Sequence, residues 1–93
     1  MAADELSRED ILERIRAAEQ RRRDAEMAAV IANKLLDLEL ALANSHGVSV
    51  RELGRCLGGW GHGTVHNRIT RGHDAHEHDP AIVSLWREQT WKA

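Results

Sequence analysis

Ninety-three residues allow one small domain, and a chain of this size buries only around two-thirds of the surface its unfolded form exposes, so a second copy would add stability. Ala, Leu, Arg and Glu are abundant, Phe and Tyr are absent, and a single Pro stands beside three Trp, which predicts an all-α protein. The formal net charge of -2 excludes a histone-like coat of positive charge, so any nucleic-acid contact has to come from a local patch.

Residues 1 to 6 carry little structural signal beyond Leu6, a candidate staple for the first helix. The acidic, polar start is unlike a secretory signal, and no apolar run approaches membrane-spanning length, so a soluble, cytoplasmic chain without a membrane partner is expected. Cys56 is the only cysteine, which rules out an internal disulfide and a thiolate zinc cage within one chain. It reads as a small, partly buried filler rather than a redox sensor.

Ser7 with Asp10 three residues on is a capping signature, and from there to about Ser45 no Pro or Gly interrupts a helix. As one helix it would reach roughly 58 Å at about 1.5 Å per residue, more than the width of a small domain. Met27, Ile31, Leu35, Leu38 and Leu42 keep a spacing of three or four, widened by Val30 and Leu36, so the second half should pack on the helices after it. The first half offers Ile11, Leu12, Ile15 and Ala18. Residues 19 to 24 then present no apolar side chain on any face. Such a run reads as solvated helix surface; the alternatives are that Arg21, Arg22 and Arg23 approach phosphates, or that the helix breaks there. A helix that outreaches its domain is most simply explained by pairing with another chain, so a homodimer through residues 11 to 42, in the manner of a coiled coil, is expected. The division is drawn as 1–26, an arm and first half-helix for dimerisation, and 27–93, the functional domain.

Residues 44 to 47 form a helix stop. Ser49 and Glu52 make a capping box, so a helix should begin near Val50, with Leu53 and Leu57 on one face and Arg51 and Arg55 on another. Gly58 and Gly59 end it, since glycine enters the left-handed conformation cheaply. After the turn, Val65 and Ile69 are four apart, which leaves His66, Asn67 and Arg68 to point elsewhere. Between His46 and His73, Arg51, Arg55, Arg68 and Arg71 stand against Glu52 alone. Asp79 and Pro80 suit the N-cap and first position of a closing helix over 80–91, with Ile82, Val83, Leu85, Trp86 and Trp91 as its apolar residues.

The stretch LGRCLGGWGHGTVHNRI, with GVSVREL before it and TRG after it, resembles the helix-turn-helix of bacterial and phage DNA-binding regulators. The resemblance rests on Gly54 at the close approach of two helices, Gly58 at the turn, and Leu53, Leu57, Val65 and Ile69 as the inward residues, within a motif spanning 48–72. Two departures are visible: the turn GGWGHG is one residue longer than the commonest form, and glycine stands where alanine is usual. The resemblance implies duplex-DNA binding by a small homodimeric transcriptional regulator, repressor-like, of a kind serving plasmid or phage maintenance.

A single helix fits the B-DNA major groove when a second helix holds it across the backbone. The groove helix would run over 62–71. Asn67 suits adenine and Arg68 guanine, His62, Thr64 and His66 are adaptable contacts at its start, and Arg51, Arg55 and Arg71 suit phosphates. Trp60 reads either as a plug under the turn or as a stacking contact to the sugar-phosphate edge.

Five of the six histidines fall between residues 62 and 78. His62 and His66 have the i, i+4 spacing that holds one metal, and His73, His76 and His78 with Asp74 or Asp79 would supply further ligands, so a metal-responsive DNA binder is a rival reading. Structural zinc sites without cysteine are the minority, and a catalytic one needs a pocket this chain can hardly enclose. The tract is therefore read as a polar, protonatable loop near phosphates, with no metal or cofactor expected. No nucleophile triad, phosphate-cradling loop or carboxylate cluster supports an enzyme. A protein-interaction adaptor or antitoxin built around the long N-terminal helix is the second alternative.

Overall fold

The computed structural model describes residues 7–89, and every regular element in them is an α-helix. They are α1 (Arg8–Ser45), α2 (Val50–Cys56), α3 (His62–His78) and α4 (Pro80–Gln89). Leu6 and Trp91, to which the sequence assigned a staple and an apolar contact, lie outside the described residues. The chain forms two compact units, Met1–Val30 and Ile31–Ala93, so the division falls after residue 30 where the sequence placed it after 26.

α1 is a single helix because both its ends and its polar middle are satisfied. At its start the Asp10 amide donates to Ser7 Oγ at 3.0 Å, and the Ser7 amide returns a bond to Asp10 Oδ2 at 3.4 Å. Through the run without apolar residues, Arg22 bridges Glu19 at 2.8 Å and Glu26 at 2.9 Å, while Arg23 meets Glu19 at 3.0 Å. These spacings of three and four stabilise an exposed helix, so no break occurs there. The helix ends where the amides of Gly47 and Val48 bond back to the carbonyls of Asn44 and Ala43, with Gly47 at φ 96.

The unit Ile31–Ala93 has two apolar clusters on two sides of the second half of α1. Leu40 packs with Leu53, Val65 and Ile69 from α2 and α3, and Leu38 with Ile82 and Val83 from α4. The expected apolar stripe of α1 is therefore corrected. Leu38 is buried and Ile31, Leu35 and Leu36 are half-buried, but Met27, Val30 and Leu42 are exposed, and Leu40 and Ala41 take buried positions instead. One stripe becomes two because the helix is gripped from two directions.

α3 is longer than the sequence suggested. The histidine-rich tract, read as a loop, continues the helix to His78, since nothing in it forbids helical dihedrals. Gly72 lies in its middle, where a Cβ would overlap the Asp37 carbonyl and meet the Ala41 methyl at 2.8 Å. Glycine there lets α3 cross α1 in backbone contact. Asp79 then closes α3, its amide bonding Ala75 O at 2.9 Å, and opens α4, its carboxylate accepting from the Ile82 amide at 3.3 Å.

Candidate nucleic-acid interface

α2, the turn and α3 are joined by a small set of side chains. The Ser49 and Glu52 capping box forms with both bonds present, so α2 begins at Val50. Gly58 and Gly59 have φ of 84 and 94, and the amides of Gly59 and Trp60 both reach the Gly54 carbonyl, at 2.8 and 3.1 Å. A Cβ on Gly54 would stand 2.7 Å from the Trp60 carbonyl oxygen. The turn folds back over α2 at a distance only glycine allows. Leu53, Gly54, Val65 and Ile69 are buried and Leu57 is half-buried, which holds α3 against α2.

The buried face of α3 is Val65, Arg68, Ile69 and Gly72. Its opposite face is polar and exposed: Gly63, His66, Asn67, Thr70 and, one turn on, Asp74, with His62, Thr64 and Arg71 at the margins. The rings of His62 and His66 stack with centroids 6.5 Å apart and planes within 8°. Thr70 is an addition to the residues singled out from the sequence; its hydroxyl donates to His66 O at 3.1 Å and keeps lone pairs for a further partner. Arg51 and Arg55 are exposed on α2 and, with Trp60 and His62, border a groove between α2 and the start of α3.

Arg68 does not belong to this surface, and the assignment of it to guanine is corrected. Its Nε donates to Asp37 Oδ1 at 2.5 Å, its Nη2 donates to Asn33 O at 3.0 Å and Asn33 Oδ1 at 2.9 Å, and its guanidinium stands 5.2 Å from the Trp60 ring centroid. Both partners of the ion pair are buried, with side-chain exposures of 11% and 9%. The reason is angular: Arg68 is three residues after Val65 and one before Ile69, so it shares their inward side. Asp37 is a buried partner that the pattern around Arg68 did not reveal. Its signal was a carboxylate set between Leu36 and Leu38 in the apolar second half of α1. Arg71 also leans on Asp37, at 3.6 Å, but remains 66% exposed and keeps donors for solvent.

Trp60 is half-buried against the Leu40, Leu53, Val65 and Ile69 cluster, under the turn and over Arg68. Cys56, expected to be partly buried, is exposed. The histidines are dispersed along α3. His76 meets the Trp86 indole edge-on with centroids 6.3 Å apart, His78 lies 3.9 Å from Asp74 and from Glu77, and His73 is exposed. Among the described residues no three His, Cys, Asp or Glu side chains gather as a metal ion requires. No helix among them is long and apolar enough to cross a membrane. Compared with family profiles, with curated proteins and with solved structures, the chain matches none.

Proposed function

We propose that this protein binds duplex DNA in a sequence-specific way, inserting the outer face of α3 into the major groove, as a small repressor-like transcriptional regulator of the cytoplasm. The observation that carries the reading is the division of α3 into a polar exposed face and a buried face clamped to α1 and α2. A helix can read base edges only when its mount is rigid and its outer side chains are uncommitted.

In this reading Asn67 makes the bidentate contact to adenine, while His62, Thr64, His66 and Thr70 adapt to neighbouring edges. Gly63, without a side chain, lets the helix start approach the groove floor. Arg51, Arg55 and Arg71 take phosphates, fixing register without reading sequence. Arg68 serves from inside, tying α3 to Asp37. Two copies associate through α1 within residues 11 to 42, so that two α3 helices address two half-sites.

Selection of bound sites from random duplex DNA tests the proposal. A palindromic site whose recovery is lost in the Asn67→Ala protein is the expected outcome; a chain that retains no DNA at low salt sinks it. One observation favours the second reading, a protein-interaction adaptor: the exposed apolar side chains of Ile11, Leu12 and Ile15. An adaptor would pull down a protein partner and ignore DNA.

A further inference from the structure

The crossing of α3 over α1 leaves a cavity beside it. At Gly72 the two backbones meet, with the Ala41 methyl against the glycine, and crossing helices part on either side of their closest approach. Just beyond, the space between them is closed on a third side by Trp86 of α4, and it amounts to 140 Å³. Leu38 and Ala41, 1% and 4% exposed, form its floor. Leu42, Ser45 and His73, all exposed, form its mouth. The Trp86 indole and the His76 imidazole both line it and meet edge-on, with planes at 81° and centroids 6.3 Å apart.

We propose that this cavity binds a free monocyclic phenol. Size sets the first limit: engineered apolar cavities of about 150 Å³ take up benzene, so one six-membered ring is the scale of the occupant. The walls set the second. An indole and an imidazole held nearly at right angles offer a third ring both stacked and edge-on contacts, which favours an aromatic occupant over an aliphatic one. Hydrogen bonding sets the third. The Ser45 hydroxyl spends its single proton on the Ala41 carbonyl at 3.0 Å, so towards a ligand it can only accept. A carboxylate would meet those lone pairs with its own, whereas a phenolic hydroxyl donates to Ser45 Oγ and keeps lone pairs for the His73 imidazole at the mouth. The ring then lies on Leu38 and Ala41, where it displaces water that has few partners. With neither Phe nor Tyr in the sequence, a second copy has no phenyl or phenol side chain to insert, so the ring comes from elsewhere.

Titration of the full-length chain with phenol, followed by nuclear magnetic resonance and calorimetry, tests the site without DNA. Saturable binding is expected, with Overhauser contacts from the ring protons to the methyl groups of Leu38 and Leu42. Fluorobenzene, which has nearly the same shape and no proton to donate, should bind about fivefold more weakly, the worth of one hydrogen bond, and benzoate more weakly than phenol as well. Ser45→Ala puts a strong helix former near the end of α1, so circular dichroism should show the fold unchanged. In that variant phenol should lose its advantage and bind no better than fluorobenzene. No saturable binding, or contacts confined to methyl groups elsewhere, overturns the site. Contacts at Leu38 and Leu42 with fluorobenzene or benzoate bound as tightly as phenol overturn the phenol assignment. A preference for phenol that survives in Ser45→Ala overturns it too, since Ser45 then accepts nothing from the ligand.

Discussion

Arg68 and Asn67 are neighbours in the chain, one buried and the other exposed, and substitutions should separate them. Removing one partner of a buried, hydrogen-bonded pair strands the other charge, so Arg68→Ala is expected to cost about 3–5 kcal/mol of stability, measured by urea unfolding. Arg68→Met, which leaves Asp37 without its buried partner but keeps the packing on Trp60, should cost less than Arg68→Ala. Asn67→Ala should leave the unfolding midpoint unchanged and weaken binding to the selected DNA site by about 1–3 kcal/mol, read by titration against that site. If Asn67→Ala binds as well as the parent, Asn67 has no reading role. The two residues were indistinguishable on polarity alone. Their spacing from Val65 and Ile69 separates them in the local pattern, but the carboxylate that holds Arg68, Asp37, lies thirty-one residues earlier, and a partner so distant leaves no periodic trace. The same holds for Gly72, whose need for glycine comes from the Asp37 carbonyl of another helix. Gly72→Ala is expected to unfold the domain or sharply lower its thermal midpoint, because backbone stands in the way on the α1 side.

Helix ends were the most legible features of the chain, and the reason is physical. A cap is decided by residues close in the chain, so Ser7 with Asp10, Ser49 with Glu52 and Asp79 with Pro80 could each be read without knowing the fold. Ser49→Ala should destabilise the domain by about 1 kcal/mol through loss of the α2 cap, again by urea unfolding. The polar middle of α1 depends instead on charge. Arg22, and then Arg23, hold the Glu19 carboxyl below its ordinary value of 4.5. A depressed carboxyl contributes stability that is present above its unfolded value and lost as pH falls through its folded value. Helical ellipticity from α1 should therefore hold from neutral pH down to about 4.5 and decline below it. Glu19→Gln should show a flatter acid limb, and an identical limb would mean that these exposed pairs contribute nothing. Composition misled at one place: histidines and acids between residues 72 and 79 looked like a loop, yet their dihedral preferences are compatible with helix, and α4 packing on Ala75 and Leu38 keeps them there.

For the molecule as a whole, the net charge of -2 makes the distribution of arginines decisive. The cations facing the proposed DNA are Arg51, Arg55 and Arg71, so affinity should fall steeply with salt, and each Arg→Ala change among them should lower the slope of log affinity against log salt by about 1. Arg14→Ala should leave that slope unchanged if the first unit serves association alone. An unchanged slope for Arg51→Ala and Arg55→Ala would remove α2 from the phosphate contacts. The all-α architecture was legible at this scale, because a chain poor in β-branched and aromatic residues, with apolar spacings of three and four, has few other folds open to it. The two-sided burial of α1 was not, because a linear pattern does not distinguish one broad stripe from two narrow ones.

The division of labour on α3 bears on how such a chain would diversify. Val65, Arg68, Ile69 and Gly72 do the holding, and His62, Gly63, His66, Asn67 and Thr70 owe almost nothing to the core. A library randomised at those five outer positions should yield mostly folded proteins, so under the proposed DNA reading changes of target would accumulate without passing through unfolded intermediates. Drift in preference is cheap on this scaffold, while drift in the Asp37 and Arg68 pair has to be concerted, and the two sets of positions should vary in descendants at very different tempos.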